Sequence, residues 1–194
     1  MNKKTKDFYD ENAKTYISTS FNLNVSSSRD RFLSYLKPKS LILDAGFGSG
    51  RDSLYFQEKG YQVDSLDCIK EFLLHGKEIG LKHVIEGKIE DLHEVNKYDA
   101  IYCSASLLHF KKEELRPIFI KLTQALKENG ILFVSFKEGD FEGYRDNRYY
   151  TDLTKESLLE LIQGTKLKDL DMWIDDDSMG RSNKWLNVVL QRIS

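Results

Sequence analysis

Between residues 41 and 136 the chain alternates short apolar runs with stretches of helical periodicity, and this alternation limits its fold more than any other feature. The apolar runs that predict strands lie at 41–45, 61–67, 83–86, 98–104 and 131–136. Between the first three runs, helices are predicted at about 50–59 and 70–79. Because a helical crossover returns the chain to the same end of a sheet, these strands should run parallel. We therefore predict an α/β fold on a mostly parallel sheet.

The two ends of the chain differ from this central part. Helical spacing predicts two helices within residues 1–37, and Ser27 and Ser28 are candidate caps for the second. After a predicted helix at about 155–163, capped by Thr154, the segments 167–174 and 185–193 alternate in polarity. This pattern predicts an antiparallel hairpin. We expect a single domain over residues 1–194, with residues 1–37 as a helical cap.

Before the fifth predicted strand, the sequence suggests two separate helical pieces. Lys111–Leu115 predicts a short helical turn, and Pro117 is well placed to open a second helix that ends at Asn129-Gly130. The polar segment 137–152, which follows the strand, is too long for a simple connection. We expect an acceptor-binding loop there.

Composition narrows the functional classes. The net charge of -2 gives no general attraction for nucleic acid, and no apolar run has the length of a membrane span. A cytoplasmic protein is the resulting expectation. Cys68 and Cys103 follow apolar runs and are interpreted as structural thiols, and the four histidines are too scattered to predict a metal site.

A glycine-rich turn follows the first predicted strand, in the sequence Asp44-Ala-Gly-Phe-Gly-Ser-Gly50. Glycines let a ligand approach the backbone and also permit positive φ angles. A dinucleotide site would require a further glycine where Arg51 stands. Asp67 ends the second predicted strand, roughly twenty residues later, as recognition of a ribose requires. The turn and Asp67 together predict a nucleoside pocket, although Asp67 could also be a solvated acid.

This turn resembles motif I of class I S-adenosylmethionine-dependent methyltransferases, and the whole pattern resembles their Rossmann-like doubly wound sheet of about seven strands. The resemblance implies a cofactor site at Asp44, Gly46, Phe47, Gly48, Gly50, Arg51, Asp67, Cys68, Ile89, Glu90, Ser104 and Ala105. Asp44 would accept a hydrogen bond from the cofactor's ammonium or cap a helix. Arg51 would pair with the cofactor's carboxylate or be solvated. Ile89 and Glu90 would meet the adenine.

The segment from Tyr98 to His109 resembles the motif after the fourth strand of small-molecule methyltransferases. Small residues at Ser104 and Ala105 would leave room for the methionine arm. His109 is the candidate general base, with helix capping or packing as the alternative. The run 145–150 and the terminal Trp185-Leu-Asn-Val resemble a bacterial branch described as tellurite-resistance-like.

Arg145, Arg148 and Tyr149 are the candidate acceptor-binding residues in the loop 137–152. The two arginines would hold an anionic acceptor and the tyrosine would stack on a planar one, whereas a surface lid packed by tyrosines explains them equally well. The predicted function is methyl transfer from S-adenosylmethionine to a small acceptor through nitrogen, sulfur, oxygen or a metalloid, by a monomer or homodimer. The alternatives are RNA methylation, a non-catalytic cofactor-binding regulator and, more remotely, a nicotinamide dehydrogenase.

Overall fold

The computed structural model describes residues 1–194 and has nine strands and six helices. The strands are β1 (Leu41–Ala45), β2 (Gln62–Asp67), β3 (His83–Glu86), β4 (Tyr98–Cys103), β5 (Leu126–Lys137), β6 (Glu142–Arg145), β7 (Arg148–Thr151), β8 (Leu167–Asp176) and β9 (Lys184–Arg192). The helices are α1 (Lys3–Ser20), α2 (Ser26–Leu33), α3 (Arg51–Glu58), α4 (Lys70–Glu78), α5 (Lys112–Ala125) and α6 (Lys155–Ile162).

Seven strands form one sheet in the order β3-β2-β1-β4-β5-β9-β8. The strands β1 to β5 are parallel, and β9 lies antiparallel between β5 and β8. The predicted α/β, doubly wound sheet with a closing antiparallel hairpin is confirmed. The strand order reverses between β1 and β4, so the carboxyl ends of these two strands border the crevice in which such sheets bind ligands.

The central strands are continuous hydrophobic runs because the sheet is buried on both of its faces. On one face, 28 buried residues form a cluster that includes Phe119 of α5 and Leu158 of α6. On the other face, Phe32 of α2 and Phe56 of α3 pack on Tyr102 of β4 within a cluster of nine buried residues. Helices therefore cover both faces. None of the helices combines the length and apolar character that a transmembrane span requires.

The sequence prediction for the region around Pro117 is wrong. A single helix, α5, runs from Lys112 to Ala125 with Pro117 inside it. The proline lacks one backbone donor, but Leu115, Ile118 and Phe119 bury one continuous apolar face, which holds the helix together across that position. The helix also ends before Glu128, because Leu126 already pairs with Tyr98 in the sheet.

Two smaller predictions also need correction. Ser27 and Ser28 do not cap α2 but lie inside it, because the helix begins at Ser26 and its cap position, Val25, offers no side-chain acceptor. The segment 137–152 is not an irregular loop. It contains the end of β5 and a hairpin in which Tyr144 of β6 pairs with Tyr149 of β7. Thr154 caps α6 as predicted, with its hydroxyl accepting from the Ser157 amide.

Candidate functional site

A pocket that is partly open to solvent lies at the carboxyl ends of β1, β2 and β4. Eight residues predicted to bind the cofactor line it, namely Gly46, Gly48, Asp67, Cys68, Ile89, Glu90, Ser104 and Ala105. His109 is also in its wall, and Tyr9 and Tyr16 of α1 cover it. The fold thus brings most of the predicted site together.

The glycine-rich turn adopts a backbone conformation that other residues rarely take. Gly46, Gly48 and Gly50 have φ angles of +82°, +56° and +77°. A Cβ on Gly46 would come within 2.7 Å of the Ser106 Cβ, and one on Gly48 within 3.2 Å of the Tyr16 ring. A side chain at either of these two positions would therefore crowd the residues of the pocket wall. Gly50 instead packs close to Ile79 and precedes α3, away from the pocket.

Asp67 joins the end of β2 to the glycine turn. One carboxylate oxygen accepts from the Gly48 amide at 3.0 Å, and the other accepts from the Cys68 and Ile69 amides at 2.7 and 3.0 Å. Burial raises the pKa of this carboxyl group, while the three amides favour its charged form. The oxygen on Gly48 retains lone-pair capacity for a ligand hydroxyl.

Asp44 is turned towards α3 and does not line the pocket. Its carboxylate accepts from the Ser53 hydroxyl at 2.7 Å, and Ser53 in turn accepts from Ser65 at 2.7 Å. Burial raises the pKa of Asp44 to about 8, and the nearby Asp52 carboxylate adds to the effect. In this structure Asp44 is a buried acid that links β1 to α3.

Arg51 and Phe47 also lie outside the pocket wall. The Arg51 guanidinium donates to both carboxylate oxygens of Asp52, at 2.8 and 2.9 Å, and to the carbonyl of Ser20. It ties the start of α3 to the end of α1. Phe47 is buried with residues of α1 and α4, including Phe72.

His109 is held by two hydrogen bonds from opposite sides. Its Nδ1 lies 2.7 Å from the Tyr149 carbonyl, and its Nε2 lies 2.8 Å from the Tyr9 hydroxyl. Because a carbonyl only accepts, Nδ1 carries the proton and Nε2 accepts from Tyr9. Burial, together with the positive charges of Arg148 and Lys137, lowers the pKa of His109 to about 4. The imidazole is therefore neutral.

The three predicted acceptor residues of the hairpin have different surroundings. Arg145 is paired with both oxygens of Asp152, at 2.9 and 2.7 Å. The Tyr149 hydroxyl donates to Glu142, so its side chain is directed to the hairpin rather than to His109. Arg148 makes no salt bridge; its guanidinium lies 4.7 Å from the Phe8 ring centre and its buried Nε has no hydrogen-bond partner.

Ser106 and Phe72 also line the pocket, although neither was among the residues predicted from the sequence. Ser106 has a buried hydroxyl oxygen without a partner. Ser106 continues the run of small residues at 104–105, and this run is the sequence pattern from which it could have been predicted. Glu90, at the opposite wall, accepts a hydrogen bond from the Met1 amino group at 2.6 Å. This carboxylate is therefore paired with the N-terminal ammonium in this structure.

Comparisons with known proteins agree with this architecture. Residues 42–130 match the family described as Methyltransferase domain. A glycine/sarcosine N-methyltransferase from Halorhodospira halochloris is 31% identical over 134 residues, which are 63% of this chain and 49% of that protein. The chain thus spans about half the length of this relative.

Solved structures show the same fold at low sequence identity. A Burkholderia thailandensis 1,6-didemethyltoxoflavin-N1-methyltransferase, solved with 1,6-didemethyltoxoflavin and S-adenosylhomocysteine, is similar with a TM-score of 0.83 and 18% identity. The match covers 98% of this chain and 88% of that one. The [4+2]-cyclase SpnF is similar with a TM-score of 0.76 and 14% identity, over 97% and 94% of the two chains.

The buried Asp44 carboxyl generates a prediction about stability. Folding raises the pKa of Asp44 from 3.8 to about 8. Its contribution to the free energy of unfolding is therefore complete below pH 4 and is lost as the pH rises towards 8. Asp44→Asn should therefore gain stability relative to the native chain over this range, by up to about 1.4 kcal/mol per pH unit. Urea unfolding at pH 5, 6.5 and 8 measures this difference.

The exposed Asp169, which makes no side-chain hydrogen bond or salt bridge, supplies the matched control Asp169→Asn. The difference in free energy of unfolding between Asp169→Asn and the native chain should not show the rise with pH that is expected for Asp44→Asn. A constant difference for Asp44→Asn from pH 5 to pH 8 would contradict the raised pKa.

Proposed function

We propose that this chain, a member of the class I S-adenosylmethionine-dependent methyltransferase superfamily, transfers a methyl group from S-adenosylmethionine to a small nucleophilic acceptor. The observation that carries the proposal is the single pocket that joins the glycine turn and Asp67 to the wall containing His109. One side offers groups suited to a nucleoside. The other offers a proton acceptor held in a fixed position.

The residues of the pocket fit the cofactor. Asp67 has acceptor capacity for the ribose hydroxyls, and Ile69, Phe72 and Ile89 supply apolar surface for the adenine. Glu90 lies beside Ile89 in the pocket wall, and its carboxylate can accept from the exocyclic amine of the base. Ser106, with its unpartnered hydroxyl, lies where a polar part of the ligand would satisfy it.

The bound cofactor supplies an electrophilic methyl group on a sulfonium, which leaves as a neutral thioether. The pocket residues then need to align the acceptor and exclude water, which together account for much of the rate in a displacement of this kind. Tyr9 and Tyr16 of α1 cover the pocket and serve the second purpose.

The Tyr9–His109 pair receives the acceptor's proton. The Tyr9 oxygen would take up the proton that the acceptor loses, while the Tyr9 proton would pass to Nε2 of His109. In the neutral state of His109, Nε2 is unprotonated and can take up the Tyr9 proton, and the Tyr149 carbonyl stabilises the resulting imidazolium through Nδ1. The low pKa of His109 suits an acceptor that becomes strongly acidic once methylated.

A small acceptor is favoured over RNA by the charge of the chain as a whole. Arg145, one of the two arginines predicted to hold an anionic acceptor, is neutralised by Asp152. The net charge of -2 adds no long-range attraction for phosphates. The glycine and sarcosine named for the Halorhodospira relative are small molecules, which agrees with this preference.

Labelled methyl transfer tests the proposed activity. The purified chain is incubated with S-adenosylmethionine labelled in the methyl group and with separate pools of small metabolites and RNA. We expect labelled product in the small-metabolite pool, with turnover lowered at least tenfold in Tyr9→Phe. Label only in RNA would overturn the choice of acceptor. Binding of S-adenosylhomocysteine without labelled product in either pool would favour the non-catalytic regulator.

The unpartnered hydroxyl of Ser106 gives a second test, in which stability and ligand binding should separate. Ser106→Ala removes a buried polar group that has no hydrogen bond, so the free energy of unfolding should stay the same or rise by about 1 kcal/mol. The affinity for S-adenosylhomocysteine, measured by calorimetry, should fall about three- to tenfold. Ser27→Ala, at an exposed position of α2, is the control and should change neither quantity. Unchanged affinity in Ser106→Ala would remove Ser106 from the binding site.

A further inference from the structure

Two cations, Lys137 and Arg148, meet at one aromatic ring beside the pocket. The Lys137 Nζ lies 4.4 Å from the centre of the Tyr150 ring, and the Arg148 Cζ lies 5.4 Å from the same point. Lys137 is the last residue of β5, and Arg148 is the first residue of β7. Residues distant in the sequence are thus brought to a single location, which we call the cation pair.

Neither member of the cation pair has a carboxylate within salt-bridge distance, whereas the neighbouring arginines do. Arg145 is paired with Asp152, and Arg181 is paired with Asp177, both at 2.7 Å. The buried Nε of Arg148 also lacks a hydrogen-bond partner. In a chain with a net charge of -2, two positive charges without a salt-bridge partner therefore contact the same ring. Asp152 raises the pKa of Lys137, but its carboxylate is already paired with Arg145.

Packing alone does not explain this arrangement. Burial and the adjacent Arg145 lower the pKa of Lys137, so its ammonium is held at a cost to stability. The face of Tyr150 offsets part of that cost through cation–π attraction. An uncharged side chain of similar volume, such as methionine, would fill the same space without any repulsion. Both side chains are only partly buried, so their charges remain available to a partner outside the protein.

The cation pair is next to the wall of the pocket that holds the proposed proton acceptor. The Tyr150 ring centre lies 5.0 Å from that of His109, and Lys137 and Arg148 both lower the pKa of His109. Two residues before Lys137 in β5, the Ser135 hydroxyl accepts from the Ala105 amide at 2.8 Å. The pair thus borders the region where an acceptor would stand between His109 and the end of β4.

We propose that Lys137 and Arg148 form an anion-binding subsite for the methyl acceptor, which is a small planar molecule carrying a carboxylate or phosphate group. This inference rests on the proposed function, because it assigns the acceptor's anionic end and leaves its nucleophile to the His109 side. The rings of Phe8, Tyr9 and Tyr150 lie around the Arg148 guanidinium, and their aromatic surface suits a planar molecule. Arg148 can bind either anion through two donors, and Lys137 adds a point charge.

Calorimetry on the full chain saturated with S-adenosylhomocysteine tests the subsite. The probes are benzoate, phenyl phosphate and the neutral isostere benzamide, in buffer of low ionic strength. At least one anion should bind tenfold or more tightly than benzamide. Whichever anion binds more tightly identifies the group as carboxylate or phosphate.

The variants Lys137→Met and Arg148→Met should each lower the affinity for that anion at least tenfold, while Lys137→Arg should retain it. Lys77→Met removes the same charge at an exposed position of α4 and is the control, with unchanged affinity. Melting temperatures in low salt should be unchanged or higher in Lys137→Met, because repulsion is relieved.

Three outcomes would overturn the inference: equal binding of benzamide and the anions, equal anion affinity in the native chain and both methionine variants, or no binding of any probe. The initial titration separates this inference from the proposed function. Failure of S-adenosylhomocysteine to bind would count against the proposed function itself, whereas its binding without any preference for anions would remove only the subsite.

Discussion

The three hydrogen bonds accepted by the Asp67 carboxylate fix the geometry on which the rest of the pocket depends. They connect the end of β2 to the Gly48 amide and order the start of the following segment. The backbone adds to this connection, because the Gly46 amide donates to the Leu66 carbonyl at 2.8 Å. These bonds hold the glycine turn in its positive-φ conformation. Asp67 is both a structural residue and the proposed ribose ligand, so loss of its carboxylate affects folding and binding together.

The opposite wall is fixed by contacts among segments far apart in the chain. His109 contacts Tyr9 of α1 and the carbonyl of Tyr149 in the hairpin. The Tyr149 amide donates in turn to the Thr5 hydroxyl at 2.8 Å, which links the hairpin to α1. A displacement of α1 would therefore alter the proton acceptor, the cover of the pocket and the neighbourhood of Arg148 at once.

Sequence patterns predicted the parts of the site that local structure determines. Asp67 and the glycine turn follow directly from strand ends, and the structure places both at the pocket. The orientation of Arg51 depends instead on Asp52 and on a carbonyl of α1, which no local pattern reveals. Similarly, Asp152 neutralises Arg145 but leaves Arg148 uncompensated, although the two arginines look equivalent in the sequence. Pro117 misled the helix prediction because tertiary burial of one face outweighed a single missing hydrogen bond.

The fold alone does not determine the reaction, since the structural neighbours include a [4+2]-cyclase as well as methyltransferases. The functional conclusion therefore depends on how the pocket holds its ligand. A crystal structure of the chain with S-adenosylhomocysteine tests this most directly. We predict ribose hydroxyls within hydrogen-bond distance of the Asp67 carboxylate, and the sulfur beside residues 104–106 on the side facing His109. A ligand bound elsewhere, or one whose ribose does not meet Asp67, would contradict the account.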